Sequence, residues 1–423
     1  MIPRSIPGGL FLIVRRSLAQ HSLSTAVTAL AAALGCGLVI AVFSVRQQAH
    51  DAFVGGPVGF DAVLGARGSQ LQLVLNTVFH LDTSPGNIPW SMYEDVRKDP
   101  QVALAIPYAV GDNYKGWRIV GTTPELFTDF EYRKGQRFKA EPGGRFFDPK
   151  LREAVIGSAV ADGARMSVGT MFHPEHGVTE GEHDHDEEYV VVGVLEPTNS
   201  PSDRVVWIPI EGIFRMGGHV LHGKGEAYRA KPGEAIPDEA KEVSAVMLKF
   251  RNSMAGFMLD QRINRQGKEA TLAWPIAKSL SEFFDRMGWL DRVLALVAYL
   301  VMFVAAGSIL AALYNTMNER RRDFAILRSL GAKRRVVFSA IVLESASIGA
   351  IGAALGWLVN LGILAGAAMV VRSQTGVVLD IWKYHPAAAL APAGMLLLAA
   401  AAGIVPALKA YRTPVAENLA PQS

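Results

Sequence analysis

Cysteine is almost absent from this chain: Cys36 stands alone, inside a stretch without Asp, Glu, Lys or Arg from Ser17 to Val45. A single cysteine excludes a disulfide framework and any thiolate-built zinc site within one chain. A His-Glu-x-x-His motif is also missing, so a zinc hydrolase has no helix-borne ligand pair here. No phosphate-binding loop is complete. The nearest approach, Gly218 to Gly225 (GHVLHGKG), has Gly225 where a hydroxyl must hold magnesium. No other stretch resembles an ATPase motif, so any nucleotide chemistry must come from a separate subunit. The chain itself reads as non-enzymatic, with no cofactor bound directly for ATP. The formal net charge of +3 is too small to imply a nucleic-acid partner, and the basic excess lies at the edges of apolar runs.

Charge is missing from four long stretches: Ser17–Val45, Val293–Met317, Ser345–Val371 and Pro386–Leu408. Each is long enough to cross a bilayer. The expected fold class is an α-helical membrane protein with four transmembrane helices. A large extracytoplasmic α+β domain is inserted between helices 1 and 2. Arg4, Arg15 and Arg16 precede the first run, seven basic residues lie between the second and third, and Lys409 and Arg412 follow the fourth, which orients the chain by the positive-inside rule. The expected order is a cytoplasmic N-terminus (1–21), helix 1 (22–45) and a periplasmic α+β domain (46–285). Helix 2 (286–317), a cytoplasmic coupling helix (318–336) and helix 3 (337–371) follow. A periplasmic loop (372–385), helix 4 (386–410) and a cytoplasmic tail (411–423) complete the chain. The first run competes with a cleaved signal peptide, but it is long and no small-x-small site follows it, so it reads as an uncleaved helix. The setting is a cytoplasmic (inner) membrane, multi-pass, with both termini inside.

Between runs two and three lies Asn318 to Val337, which carries Arg320, Arg321, Arg322, Arg328, Lys333, Arg334 and Arg335 against Glu319 and Asp323. Phe324, Ile326, Leu327 and Leu330 give it an apolar stripe, and Gly331 is a helix stop. A topology signal needs only charge, whereas an apolar stripe points at something outside the bilayer. The run Arg321-Arg322-Asp323-Phe324-Ala325-Ile326-Leu327-Arg328-Ser329-Leu330-Gly331-Ala332 resembles the coupling region of the FtsX/MacB/LolC family of ABC transporter permeases. There R-R-x-[DE]-x-A-x-L-R-x-[LM]-G-A follows the second membrane helix; Asp323 and Ser329 are the mild departures.

The resemblance implies that Arg321, Arg322, Asp323, Phe324, Ile326, Leu327, Arg328, Leu330 and Gly331 couple the chain to two cytoplasmic ABC ATPase subunits. It further implies a second copy of the chain or a related permease, and an outer domain moved as a lever. A periplasmic adaptor or substrate-binding protein is a further candidate partner. The stroke would export or extract a periplasmic or membrane substrate such as a lipoprotein, peptide or small molecule. The alternatives are a mechanotransmitting signalling module that switches a periplasmic partner, and a zinc-sensing or zinc-handling protein.

That last alternative rests on histidine. Six of the ten histidines fall between 173 and 222: His173 and His176 in HPEH, His183 and His185 in EHDHDEE, His219 and His222 in HVLH. Imidazoles in an acidic loop suit Zn²⁺, and the competing reading is a solvated polar turn. The run Leu71–Phe79 reads as buried core ahead of a hydrophobic-substrate site. Glu344 opens the third apolar run and reads as a headgroup-level carboxylate near Lys333 to Arg335.

Overall fold

The computed structural model describes residues 6–54, 59–177, 185–216, 221–222, 227–228 and 234–412. They fall into two compact units. The first comprises residues 1–49, 287–369 and 380–423; the second, residues 50–286 and 370–379.

The first unit is helical. A short helix α1 (Ile6–Gln20) precedes α2 (Ser22–Val54); then come α3 (Ile276–Glu319), α4 (Arg321–Ser329), α5 (Arg334–Thr375) and α6 (Ala387–Arg412). Among the described residues, helices α2, α3, α5 and α6 are the four long and apolar enough to cross a membrane. The expected fold class is therefore the observed one. All four overrun their uncharged cores: α3 is unbroken from Ile276, and α2, α5 and α6 continue to Val54, Thr375 and Arg412. The stretch before the first run, read from sequence without secondary structure, contains α1, whose Val14 and Ser17 are buried.

Small residues let these helices approach closely. A Cβ on Gly37 would lie 2.7 Å from the Gly356 carbonyl oxygen, and one on Gly352 would lie 2.4 Å from the Ala32 Cβ. Gly35 meets the Met302 backbone, which brings α3 against the same helix. The shared core joins Ala29, Ala32, Cys36 and Ile40 of α2 to Ala298, Met302, Ala305 and Ile309 of α3, and to Ala391, Met395 and Ala399 of α6. The four-residue spacing Ala29, Ala33, Gly37 is the face that packs. On α5, Gly349, Gly352 and Gly356 are in contact, whereas a Cβ at Gly362 or Gly366 meets nothing within 4 Å.

The second unit is built on one ten-stranded mixed sheet. Its strands are β1 (Ala62–Ala66), β2 (Val102–Tyr114), β3 (Trp117–Thr122), β4 (Glu153–Ile156), β5 (Met171–Phe172) and β6 (Glu175–His176). After them come β7 (Tyr189–Val194), β8 (Val205–Pro209), β9 (Ala245–Phe250) and β10 (Ala270–Ala273). The spatial order is β10-β1-β9-β2-β3-β8-β4-β7-β5, with β6 also on β2. Strand pairs β3/β8 and β4/β7 are parallel; the others are antiparallel.

Alternate residues of each strand point to opposite faces, so the sheet buries two separate cores. Leu64, Ile119, Ile156, Ile208 and Leu248 lie in one, and Val63, Val120, Val155, Trp207 and Met247 in the other. The run Leu71–Phe79 forms a helix from Gln70 to Thr77 with Leu73 and Val74 fully buried, so it is core.

The longest strand, β2, is the hinge of the topology. Its first half pairs with β9 and its second half with β3. Between them the register slips by one residue, Val110 facing Val120 but Asp112 facing Ile119, with Gly111 as the extra residue of a bulge. This strand carries one sheet from β10 through to β5.

Candidate functional site

Two places gather the residues singled out from the sequence. The first is α4 and what holds it. Its N-terminal boundary residue is Arg320, and the helix stops at Leu330, after which Gly331 adopts φ +98°. The stop is a Schellman motif: the Ala332 amide donates to the Leu327 carbonyl at 3.0 Å and the Gly331 amide to that of Arg328 at 3.1 Å. Only a residue without Cβ takes this φ cheaply, which is why Gly331 ends the helix.

The apolar stripe of α4 divides into two faces. Phe324 is buried with Met317, Val337, Ile341 and Ala407, and Leu327 packs beside them. Ile326 is 42% exposed and Leu330 80%. These two lie four residues apart and so share one face. Arg322 and Asp323 are exposed, Arg328 is half-buried, and Arg321 is the first residue of the helix.

Arg320 anchors the start of α4. Its Nη1 lies 3.3 Å from Glu344 Oε2 of α5 and donates to the Ser17 hydroxyl of α1, which donates in turn to Glu344 Oε1. The guanidinium stacks 5.0 Å over the Phe324 ring. Glu344 therefore pairs with Arg320; the expectation that Lys333 to Arg335 would be its neighbours is corrected. Glu344 is buried, so losing Arg320 would leave its charge uncompensated. From sequence, Ser17 only marks the start of an apolar run and Arg320 is only one of seven basic residues. Each is adjacent to an apolar run, but nothing in the one-dimensional pattern says that three separate segments converge there.

The second place is in the sheet unit. The bulge at Gly111 turns Asp112 so that its carboxylate is fully enclosed. His176 of β6 is its direct cross-strand partner, so both side chains rise from the same face. His176 Nδ1 lies 3.3 Å from Asp112 Oδ1, and His185 Nε2 lies 3.1 Å from the same oxygen. The two imidazole rings meet edge to face at 5.5 Å.

Backbone bonds fix this arrangement. The Gly177 amide donates to the Gly111 carbonyl, the His185 amide to that of Pro174, and Asn113 Nδ2 to that of Gly177. His185 is buried, and His176 is about half exposed. His173 is exposed and lies apart from this group, 3.9 Å from Glu188. His222 lies in a two-residue strand paired with Ala227–Tyr228, and His183 and His219 lie outside the described residues.

Asp112 is the residue that sequence reading passed over. Gly111-Asp112 reads as a turn pair, whereas it is a bulge inside a thirteen-residue strand. An acidic residue within a run as apolar as VALAIPYAV, followed by polar GDN, is the signal that was available.

Residues 25–246 match the family model of the MacB-like periplasmic core domain, and residues 295–415 match that of the FtsX-like permease C-terminal region. Among solved structures, the chain is similar to the periplasmic region of MacB from Actinobacillus actinomycetemcomitans. The identity is 11% over 54% of this chain and 94% of that one, with a TM-score of 0.32. The extracellular domain of the noncanonic ABC-type transporter YknZ from Gram-positive bacteria matches at 14% identity, over 50% of this chain and 97% of that one, with a TM-score of 0.28.

Proposed function

The chain belongs to the FtsX/MacB-type family of ABC transporter permeases, whose members are not themselves catalytic, and from that membership we propose that it couples a separate ATPase to movement of an outer domain. In this reading α4 is the docking element, and two cytoplasmic ATPase subunits engage a pair of such chains. The sheet unit stands in the periplasm of an inner-membrane protein, and its displacement exports or extracts a periplasmic or membrane substrate: a lipoprotein, a peptide or a small molecule.

The observation that carries the proposal is the division of α4. One face, Phe324 with Leu327, is sunk into the chain's own helices, while Ile326 and Leu330 remain uncovered at the end of a rigidly capped helix. A topology signal requires neither face. A coupling element requires both: one to receive a push and one to pass it on. The Ser17–Arg320–Glu344 group then has a mechanical role, because it ties the start of α4 to α1 and α5, so a displacement of the helix reaches all three.

Ile326→Asp with Leu330→Asp tests this. Each apolar side chain enclosed by a partner contributes roughly 1.5–3 kcal/mol. The double variant, expressed with its cognate ATPase, should insert normally and lose the copurifying ATPase subunit. Unchanged copurification and unchanged stimulated ATP turnover would remove α4 from the docking role.

A further inference from the structure

We propose that Asp112, His176 and His185 form a site for a divalent transition metal, Zn²⁺ in the first instance, on the bulged strand of the sheet unit. The proposal is independent of the coupling reading, since it lies in the other unit and uses none of its residues.

The geometry is that of a ligand set. A tetrahedral zinc ion with bonds of about 2.0–2.1 Å holds neighbouring ligand atoms about 3.3 Å apart. The two distances to Asp112 Oδ1 are 3.1 and 3.3 Å, and all three donor atoms lie within 4.8 Å of one another. A small rotation of the half-exposed His176 ring closes the remaining edge. A water molecule or a further side chain completes the four-coordinate shell that zinc prefers.

The donor chemistry selects the ion. Two imidazole nitrogens and one carboxylate oxygen suit zinc and its neighbours, whereas Ca²⁺ and Mg²⁺ require shells made of oxygen. Burial supports a site over a solvated turn. Asp112 is fully enclosed and His185 nearly so, which is unlike a charge kept at the surface for solubility. The positions are also held by backbone bonds to Gly111 and Pro174 and by the Asp112–His176 strand register, so the donors are placed before an ion arrives.

The ion would link three separate pieces of chain: the bulge of β2, the two-residue strand β6 and the segment at His185. That strand is held by few ladder bonds of its own, so metal would stiffen this edge of the sheet unit.

The test uses the full-length chain in detergent, stripped with a chelator and titrated with Zn²⁺ alone by calorimetry. One Zn²⁺ per chain is expected to bind at this site. Loss of a residue that merely supports a metal ligand costs about 10–100-fold in affinity, so removing a ligand should cost at least tenfold. His176→Ala, His185→Ala and the isosteric Asp112→Asn should each show that loss, and His173→Ala should not. Because His176 is half exposed, its alanine variant tests the site without emptying the core, and circular dichroism verifies that it stays folded. Co²⁺ should give the intense visible bands of tetrahedral coordination in the wild type and lose them in His176→Ala. No zinc uptake by the wild type would overturn the proposal. So would wild-type affinity in Asp112→Asn, or equal losses in His173→Ala and His176→Ala.

Discussion

The two units of this chain solve the packing problem with different residues. The sheet unit buries large side chains: Trp207, Tyr189, Ile106, Ile119, Ile156 and Leu195 are all almost wholly enclosed. The helical unit buries Ala29, Ala32, Ala33, Cys36, Ala298, Ala305 and Ala399 and turns Leu294, Leu300, Phe303, Val304, Leu358 and Leu397 outward. In water, apolar area removed from solvent drives folding, so the largest side chains go inside. Among lipid tails an outward leucine costs nothing, and helices associate by close contact, so the smallest go inside. The inversion is itself evidence for which solvent each unit meets.

That contrast can be broken by substitutions of opposite kind. Trp207→Ala should have the largest effect, about 3–5 kcal/mol, because it removes a whole core side chain. It is read as loss of hydrogen-exchange protection over β8 and β3. A cost below about 1 kcal/mol would mean that the sheet core is not the source of stability claimed for it.

Enlargement, not truncation, should damage the helical unit. A leucine at Gly352 starts with its Cβ 2.4 Å from the Ala32 Cβ and 3.0 Å from the Ala29 carbonyl, and overpacking of this kind costs about 1–3 kcal/mol. Gly362→Leu, which meets nothing within 4 Å, is the matched control. Resistance of the detergent-solubilised chain to thermal aggregation should fall for the first and hold for the second. Equal behaviour would show that α2 and α5 do not rely on the small-residue contact.

The smallest effect sharpens the comparison from the side of charge. His80 is half-buried against Trp207 and Tyr108, and desolvation of its ring, then the nearby Arg118, push its pKa down from 6.5 to about 3. The unfolded chain takes up a proton below about pH 6.5, while the folded one stays neutral until about pH 3. The contribution of a neutral His80 is therefore complete above pH 6.5 and declines as pH falls, by about 1.4 kcal/mol per unit. His80→Phe should flatten the acid dependence of exchange protection in the sheet unit between pH 6.5 and 4.5. An unchanged slope would assign that dependence to other groups.

Much of this architecture was legible in one dimension. Uncharged runs such as Ser345–Val371 have a single physical use at that length, and an unbroken short apolar run such as Val205–Pro209 marks a strand with two buried faces. The coupling region was legible because its motif is local: the arginines, the stripe and Gly331 occupy one short helix. The stripe still concealed which of its members are available. Phe324 and Ile326 have the same hydrophobic character in the sequence, and only packing against Val337, Ile341 and Ala407 shows that the first is already used.

The histidines show the same limit more sharply. Composition drew attention to six of them, and the fold joins two, His176 and His185, on a carboxylate more than sixty residues earlier in the chain. Ser17, Arg320 and Glu344 likewise come from α1, from the turn before α4 and from α5. By itself the sequence determined the solvent of each segment, the crossings and the local helix stop, because hydropathy, charge and backbone conformation act over a few residues. Tertiary structure alone decided which polar groups share a site, because a buried charge finds its partner through space and not along the chain.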